Sequence, residues 1–218
     1  MKKLHKIIRE DNFLSLTGNV VIAFLGIAGF ALLARSLSLE IFGEWVLFIS
    51  AGSFVEMFRF GITNTGLIRY LSGADDTSRV KLIGSNALIG FGATIFIAII
   101  LIVCNNIFSE SIGNSGYNLF FIWYPLLALL NLPWNNALVV LQADRKYGKI
   151  LAIKAINSGF FFLVIVFHFY FLELTLTQLI IALLIINATT SAVSIIAGWD
   201  GIKHITSACV ETNKTLLN

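Results

Sequence analysis

Glu56 and Arg59 are the residues best placed to do chemistry, because they stand three positions apart within an otherwise apolar stretch. That spacing puts both on one helical face, which Gly52 and Thr63 extend. Arg59 lies ten residues from Arg69, or roughly 15 Å along a helix. A guanidinium at such depth in a membrane costs about 2.5–3.5 kcal/mol on insertion scales. Two readings follow. Either Glu56 neutralises Arg59 as an ion pair one turn away, or Arg59 faces a hydrated cavity and meets a phosphate or another anion. A single carboxylate does not satisfy every guanidinium donor, so both stay open.

Other apolar stretches carry weaker polar faces. Asn131, Asn135 and Gln142 share a side, as do Lys154, Asn157, Ser158 and His168, and then Asn187, Thr190, Ser191 and Ser194. Asn86, and Thr17 with Asn19, open two further stretches. Taken singly, each suits a helix-to-helix hydrogen bond. Together they imply a polar inner side, which makes Arg59, Glu56, Asn135 and Asn157 the candidate binding residues. No serine elbow of GxSxG or GxSG type, no HExxH and no GxxxxGK[ST] is expected. The run Gly113–Gly116 reads as a loop, and Asp75–Asp76 as a solvated turn. No enzyme activity, catalytic residue, metal centre or cofactor is expected.

The elements that must position these residues follow from where charge is absent. Uncharged runs cover Phe13–Ala34, Trp45–Val55, Leu82–Ser109, Ser111–Ala143, Ala155–Leu172 and Leu174–Trp199. Most are long enough to cross a hydrocarbon core, which takes about 20 residues. Lys2, Lys3, Lys6 and Arg9 precede the first run, and Arg69, Arg79 and Lys81 fall between the second and third. Arg145, Lys146, Lys149 and Lys154 lie between or just inside the fourth and fifth, and Lys203 and Lys214 follow the sixth. Of the cations, the remaining connections carry only Arg35. Cationic loops stay in the cytoplasm. The pattern predicts an all-α polytopic membrane protein with six transmembrane helices and both termini cytoplasmic. Residues 1–12 form a cytoplasmic segment, 13–199 the transmembrane bundle and 200–218 a cytoplasmic tail.

Composition agrees: 57% of residues are hydrophobic and 12% charged, with a mean hydropathy of +0.87. The net charge of +3 is spread over loops, which fits membrane orientation and no nucleic-acid partner. The first apolar run exceeds the roughly 7–15 residues of a signal-peptide core, so it reads as a retained helix. Leu4, Ile7 and Ile8 among the early cations fit a short surface helix or a flexible start. The Ala34–Glu40 connection predicts a tight antiparallel hairpin of the first two spans. Pro125 and Pro133 predict a bend in the fourth span. Trp45, Trp123, Tyr124, Tyr147, Tyr170 and Trp199 fall near expected interfaces as aromatic belts do. Cys104 and Cys209 should lie on opposite sides of the membrane, beyond disulfide reach.

Several motifs resemble one family. They are Leu33-Ala34-Arg35-Ser36-Leu37-Ser38, Ile41-Phe42-Gly43-Glu44-Trp45, Arg59-Phe60-Gly61-Ile62 and Gly66-Leu67-Ile68-Arg69, preceded by Asn19-Val20. The run is similar to the start of bacterial polysaccharide-biosynthesis flippases, in the superfamily shared with MATE drug exporters. It covers residues 19–70 best, with a looser echo from Leu141-Gln142 to Tyr147, and Ser38 replaces the family glycine. The resemblance implies an N-terminal six-helix lobe that works with a second lobe or a homodimer partner in the bacterial inner membrane. Its implied cargo is an undecaprenyl-diphosphate-linked oligosaccharide moved to the outer leaflet, with Arg59 a candidate contact for the diphosphate. The competing expectations are half of a cation-coupled multidrug antiporter, which needs an unpaired membrane acid, and a non-transporting membrane subunit.

Overall fold

The computed structural model describes residues 2–71, 73–208, 212 and 216, and the side chains of 2–14, 62 and 63 are not among those described. The expected apolar face of Leu4, Ile7 and Ile8, the side chain of Thr63, and residues Cys209 and Lys214 therefore lie outside the described set. Every described element is helical. Helix α1 spans Lys2–Ser36, α2 Leu39–Leu71, α3 Asp76–Ile107, α4 Ser109–Gly113 and α5 Asn118–Ala143. Helix α6 (Tyr147–Lys154) continues through a π-helical turn at Ala155–Gly159 into α7 (Phe160–Tyr170). Helix α8 covers Leu176–Ile196, and a 3₁₀ helix follows at Ile202–Ser207. Counting α6 to α7 as one span, six helices are long and apolar enough to cross a membrane. The protein is an all-α polytopic membrane protein.

The helices outrun their apolar cores where local chemistry allows. Ser38 accepts from Ile41 N at 3.4 Å and starts α2. Thr175 and Gln178 form a reciprocal capping box at α8. At the other end of α8, Gly198 has φ 66°, and Trp199 N donates to Ser194 O at 3.0 Å. This left-handed glycine stop ends the helix before the expected Trp199. Helix α5 runs unbroken through Pro125 and Pro133. Near Pro133, Ala128 O and Leu130 O accept side-chain donors from Arg59 and Ser191.

Helix α5 is central, packing against α2, α3, α6 and α8. The expected tight hairpin of the first two spans does not persist. Beyond the turn, where Phe30 and Phe42 meet edge to face, α1 packs mainly on α6 and α7 while α2 packs on α3 and α5. Small residues let α1 do this: a Cβ at Gly18 would stand 2.8 Å from Leu151 Cδ1, and one at Gly29 3.1 Å from Ile165 Cδ1. Trp45 and Tyr124 are core residues and not interface aromatics. Trp45 stacks on Phe48 and Phe161. Large apolar side chains such as Phe24, Phe58, Phe96 and Ile185 point outward, as a lipid-facing surface requires.

One end of the bundle gathers charge. Arg79 at the start of α3 pairs with Asp144 after α5, and Lys146 joins them at 2.7 Å. The 3₁₀ helix docks at that same end on α3. There a Cβ on Gly84 would run into the backbone carbonyl of His204. Leu216, 2% exposed, shares a cluster with Leu67, Leu71, Leu82, Ile83 and Val139. The expected tail at 200–218 is thus partly folded against the bundle.

Candidate functional site

Arg59 sits where α2, α3 and α5 meet, with its side chain 0% exposed. Its Nη1 donates to Glu56 Oε1 at 2.7 Å and to Asn131 Oδ1 at 3.1 Å. Its Nη2 donates to Ala128 O at 2.6 Å and to Thr94 Oγ1 at 2.7 Å, and Nε reaches the same Thr94 oxygen at 3.2 Å. Thr94 in turn donates to Gly90 O at 2.6 Å. The Phe60 ring lies 4.6 Å from the guanidinium carbon, a further favourable contact. Every guanidinium direction is occupied by protein. Arg59 does not open on a hydrated cavity; it ties three helices together.

Glu56 is the partner that reaches the surface, with its side chain 28% exposed. Its Oε1 accepts from Arg59, from Asn131 Nδ2 at 2.7 Å and from Tyr124 OH at 2.9 Å. Gly52 makes the Tyr124 contact possible, because a Cβ there would lie 2.8 Å from Cε2 of the ring. Glu56 lines a groove of about 530 Å³ between α2 and α5. Ser53, Asn64, Thr65 and Asn135 line that groove beside Glu56, with Met57 and Phe60 as apolar wall. Asn135 holds its own helix through a 3.0 Å bond to Asn131 O.

Asn157 is elsewhere. It lies in the π turn and donates at 3.4 Å to Asn187 Oδ1 and Thr190 Oγ1. It borders a mainly apolar cavity between α1, α2 and α7. A chain of polar side chains joins the two regions, since Trp134 on the groove donates to Asn187 Oδ1 at 2.9 Å. Of the four expected residues, the structure therefore brings Glu56 and Asn135 to one groove. Arg59 stays behind it, and Asn157 is set apart.

Sequence reading missed Thr94 and Asn136 and misplaced Tyr124. Asn86 and Asn136 are both buried, and among the described residues no hydrogen bond reaches Asn86 Oδ1 or either Asn136 amide atom. They extend the polar interior toward the charged end. Gly113-Asn114-Ser115-Gly116 has the spacing of a GxSG serine motif, which the loop reading passed over. Ser115 Oγ donates to Ile112 O at 2.8 Å inside its turn. His168 is held at Nδ1 by the Leu172–Leu174 loop, with Leu174 N donating at 3.0 Å. The described contacts give Ser115 no general base. Among the described residues, no group of three or more His, Cys, Asp or Glu side chains gathers as a metal site would.

Fold and site together define a polytopic helical membrane protein with a polar groove along α2 and α5. Comparison with protein-family models, curated proteins and solved structures finds no match.

Proposed function

We propose that this chain is one six-helix lobe of a transporter in the bacterial cytoplasmic membrane. It would move a lipid-linked oligosaccharide, in concert with a second lobe or a second copy. One observation carries the reading. The Glu56–Asn135 groove lies near the middle of two spans and opens on an outer face. A carboxylate, amides and hydroxyls facing lipid at that depth are unfavourable unless another helical surface or water covers them. A polar cleft between two lobes answers that need and gives a sugar chain hydrogen-bonding partners, while the surrounding apolar wall suits a polyprenyl tail.

The test uses export of surface polysaccharide in a strain lacking its own exporter, with a second lobe supplied. A bulky thiol reagent attached to cysteine at Ser53 or Thr65 should block export, and the same reagent at Ile99 on the outer face of α3 should not. Undiminished export with both groove positions labelled would sink the proposal. Glu56 favours a second reading, a cation-coupled antiporter, because its side chain is 28% exposed and lines the groove. In that case Glu56→Gln should abolish drug efflux driven by a proton or sodium gradient.

A further inference from the structure

We infer that a second polar pocket, at the charged end between α1, α5 and α6, binds a phosphate group. Lys154 ends α6, seven residues after its start at Tyr147, which places it roughly 10 Å inside the fifth span. Among the described residues its ammonium makes one hydrogen bond, 3.1 Å to Asn19 Oδ1 on α1, and that leaves further protons for a ligand. Ser15, Asn19, Gln142 and Tyr147 line the pocket with it, and among the described residues no acid does. The acid nearest in sequence, Asp144, is taken up by Arg79 and Lys146.

The contrast with Arg59 carries the argument. Both are cations inside a span, where an unneutralised charge is costly. Arg59 is buried with its counter-ion Glu56; Lys154, at the surface of the bundle, has none among the described side chains, and an anion bound in the pocket would supply one. Hydroxyls from Ser15 and Tyr147 and amides from Asn19 and Gln142 supply the neutral donors that phosphate oxygens take. The pocket measures about 100 Å³, suited to a phosphate group and not to a sugar chain. Gly18 lets α1 close against Leu151 at its wall. At this depth the phosphate belongs either to a lipid headgroup or to a free anion that has entered from the charged end. The site stands on this geometry and not on the cargo proposed for the groove.

Native mass spectrometry of the purified protein with added phosphatidic acid tests it. Lys154→Gln should retain the lipid about tenfold less well, the effect of losing one charge-assisted hydrogen bond. Tyr147→Phe should lower retention about threefold, and Lys146→Gln should not change it. Displacement by excess inorganic phosphate means that the free anion suffices; retention in its presence assigns the site to the lipid headgroup. Equal retention in Lys154→Gln and the parent, or an equal loss in Lys146→Gln, overturns the inference. Should Lys154→Gln lack a folding transition, Tyr147→Phe decides, and unchanged retention there overturns it.

Discussion

Arg59 and Glu56 act as a unit, and their removal should show it. Taking one partner from a buried pair costs about 3–5 kcal/mol, because the other charge is stranded. Arg59→Ala should therefore lower the amount of folded protein in the membrane, read by size-exclusion chromatography of detergent extracts. Glu56→Gln combined with Arg59→Gln should restore it, since two neutral amides still suit Thr94, Asn131 and Tyr124. Normal abundance of Arg59→Ala with export lost would instead make Arg59 a cargo contact. The pair was legible from its i,i+3 spacing. Thr94, Ala128 and Tyr124 were not, because their contacts join residues more than thirty positions apart. Asp200 makes a second prediction at this scale. It is 2% exposed, and burial pushes its carboxyl up from the ordinary range while the backbone N–H of Ile202 pulls the other way. A raised folded pKa means that stability is greatest with Asp200 protonated. It is lost as pH climbs from the unfolded value, about 3.9, through the raised one. Asp200→Asn should thus raise the melting temperature at neutral pH and leave it unchanged in acid; an equal gain at both would exclude the titration.

At the level of elements, glycine positions separate close packing from open helix. Gly84 faces the backbone of the 3₁₀ helix, whereas nothing lies within 4 Å of a Cβ at Gly92 on the same α3. Gly84→Ala should destabilise by about 1–3 kcal/mol, as overpacking does. Gly92→Ala should be neutral or stabilise by about 0.5–1 kcal/mol. Thermal unfolding of the two variants checks the difference, and equal melting temperatures would remove the 3₁₀ helix from that surface. Sequence located each span because hydrocarbon tolerates so little charge, but the helices run past the uncharged stretches: α1 reaches back to Lys2, and α3 starts at Asp76 with no side-chain cap at Asp75. The divergence of α1 from α2 was illegible, since a two-residue link constrains the turn and leaves the partner of each helix to packing further along.

For the whole molecule, the alternation of cations made the architecture readable. Arg79, Asp144 and the 3₁₀ helix meet at one end, which agrees with placing their loops on one side of a membrane. The prediction is that this side is cytoplasmic. In intact cells an impermeant thiol reagent should modify cysteines placed at Asn114 and Thr175, and spare those at Asp76 and Lys146. Modification at Asp76 from outside would invert the orientation. The groove was only half legible at this scale. Polar residues at helical spacing announced a wet interior, but which of them share a cleft depends on how α5 is turned against its neighbours.

The π turn at Ala155–Gly159 means that the fifth span holds one residue more than an α-helix would place in that turn. One residue is worth about 100° of rotation, so α7 faces its neighbours in a different phase from α6. A wheel drawn through the whole span misassigns one half, including the side shared by Asn157 and His168. The turn is also where this span can change length without rebuilding its packing. Deleting one residue there trades the wide turn for a regular one and keeps both flanking faces in place. The same deletion within α6 or α7 would rotate a packed face away from α1.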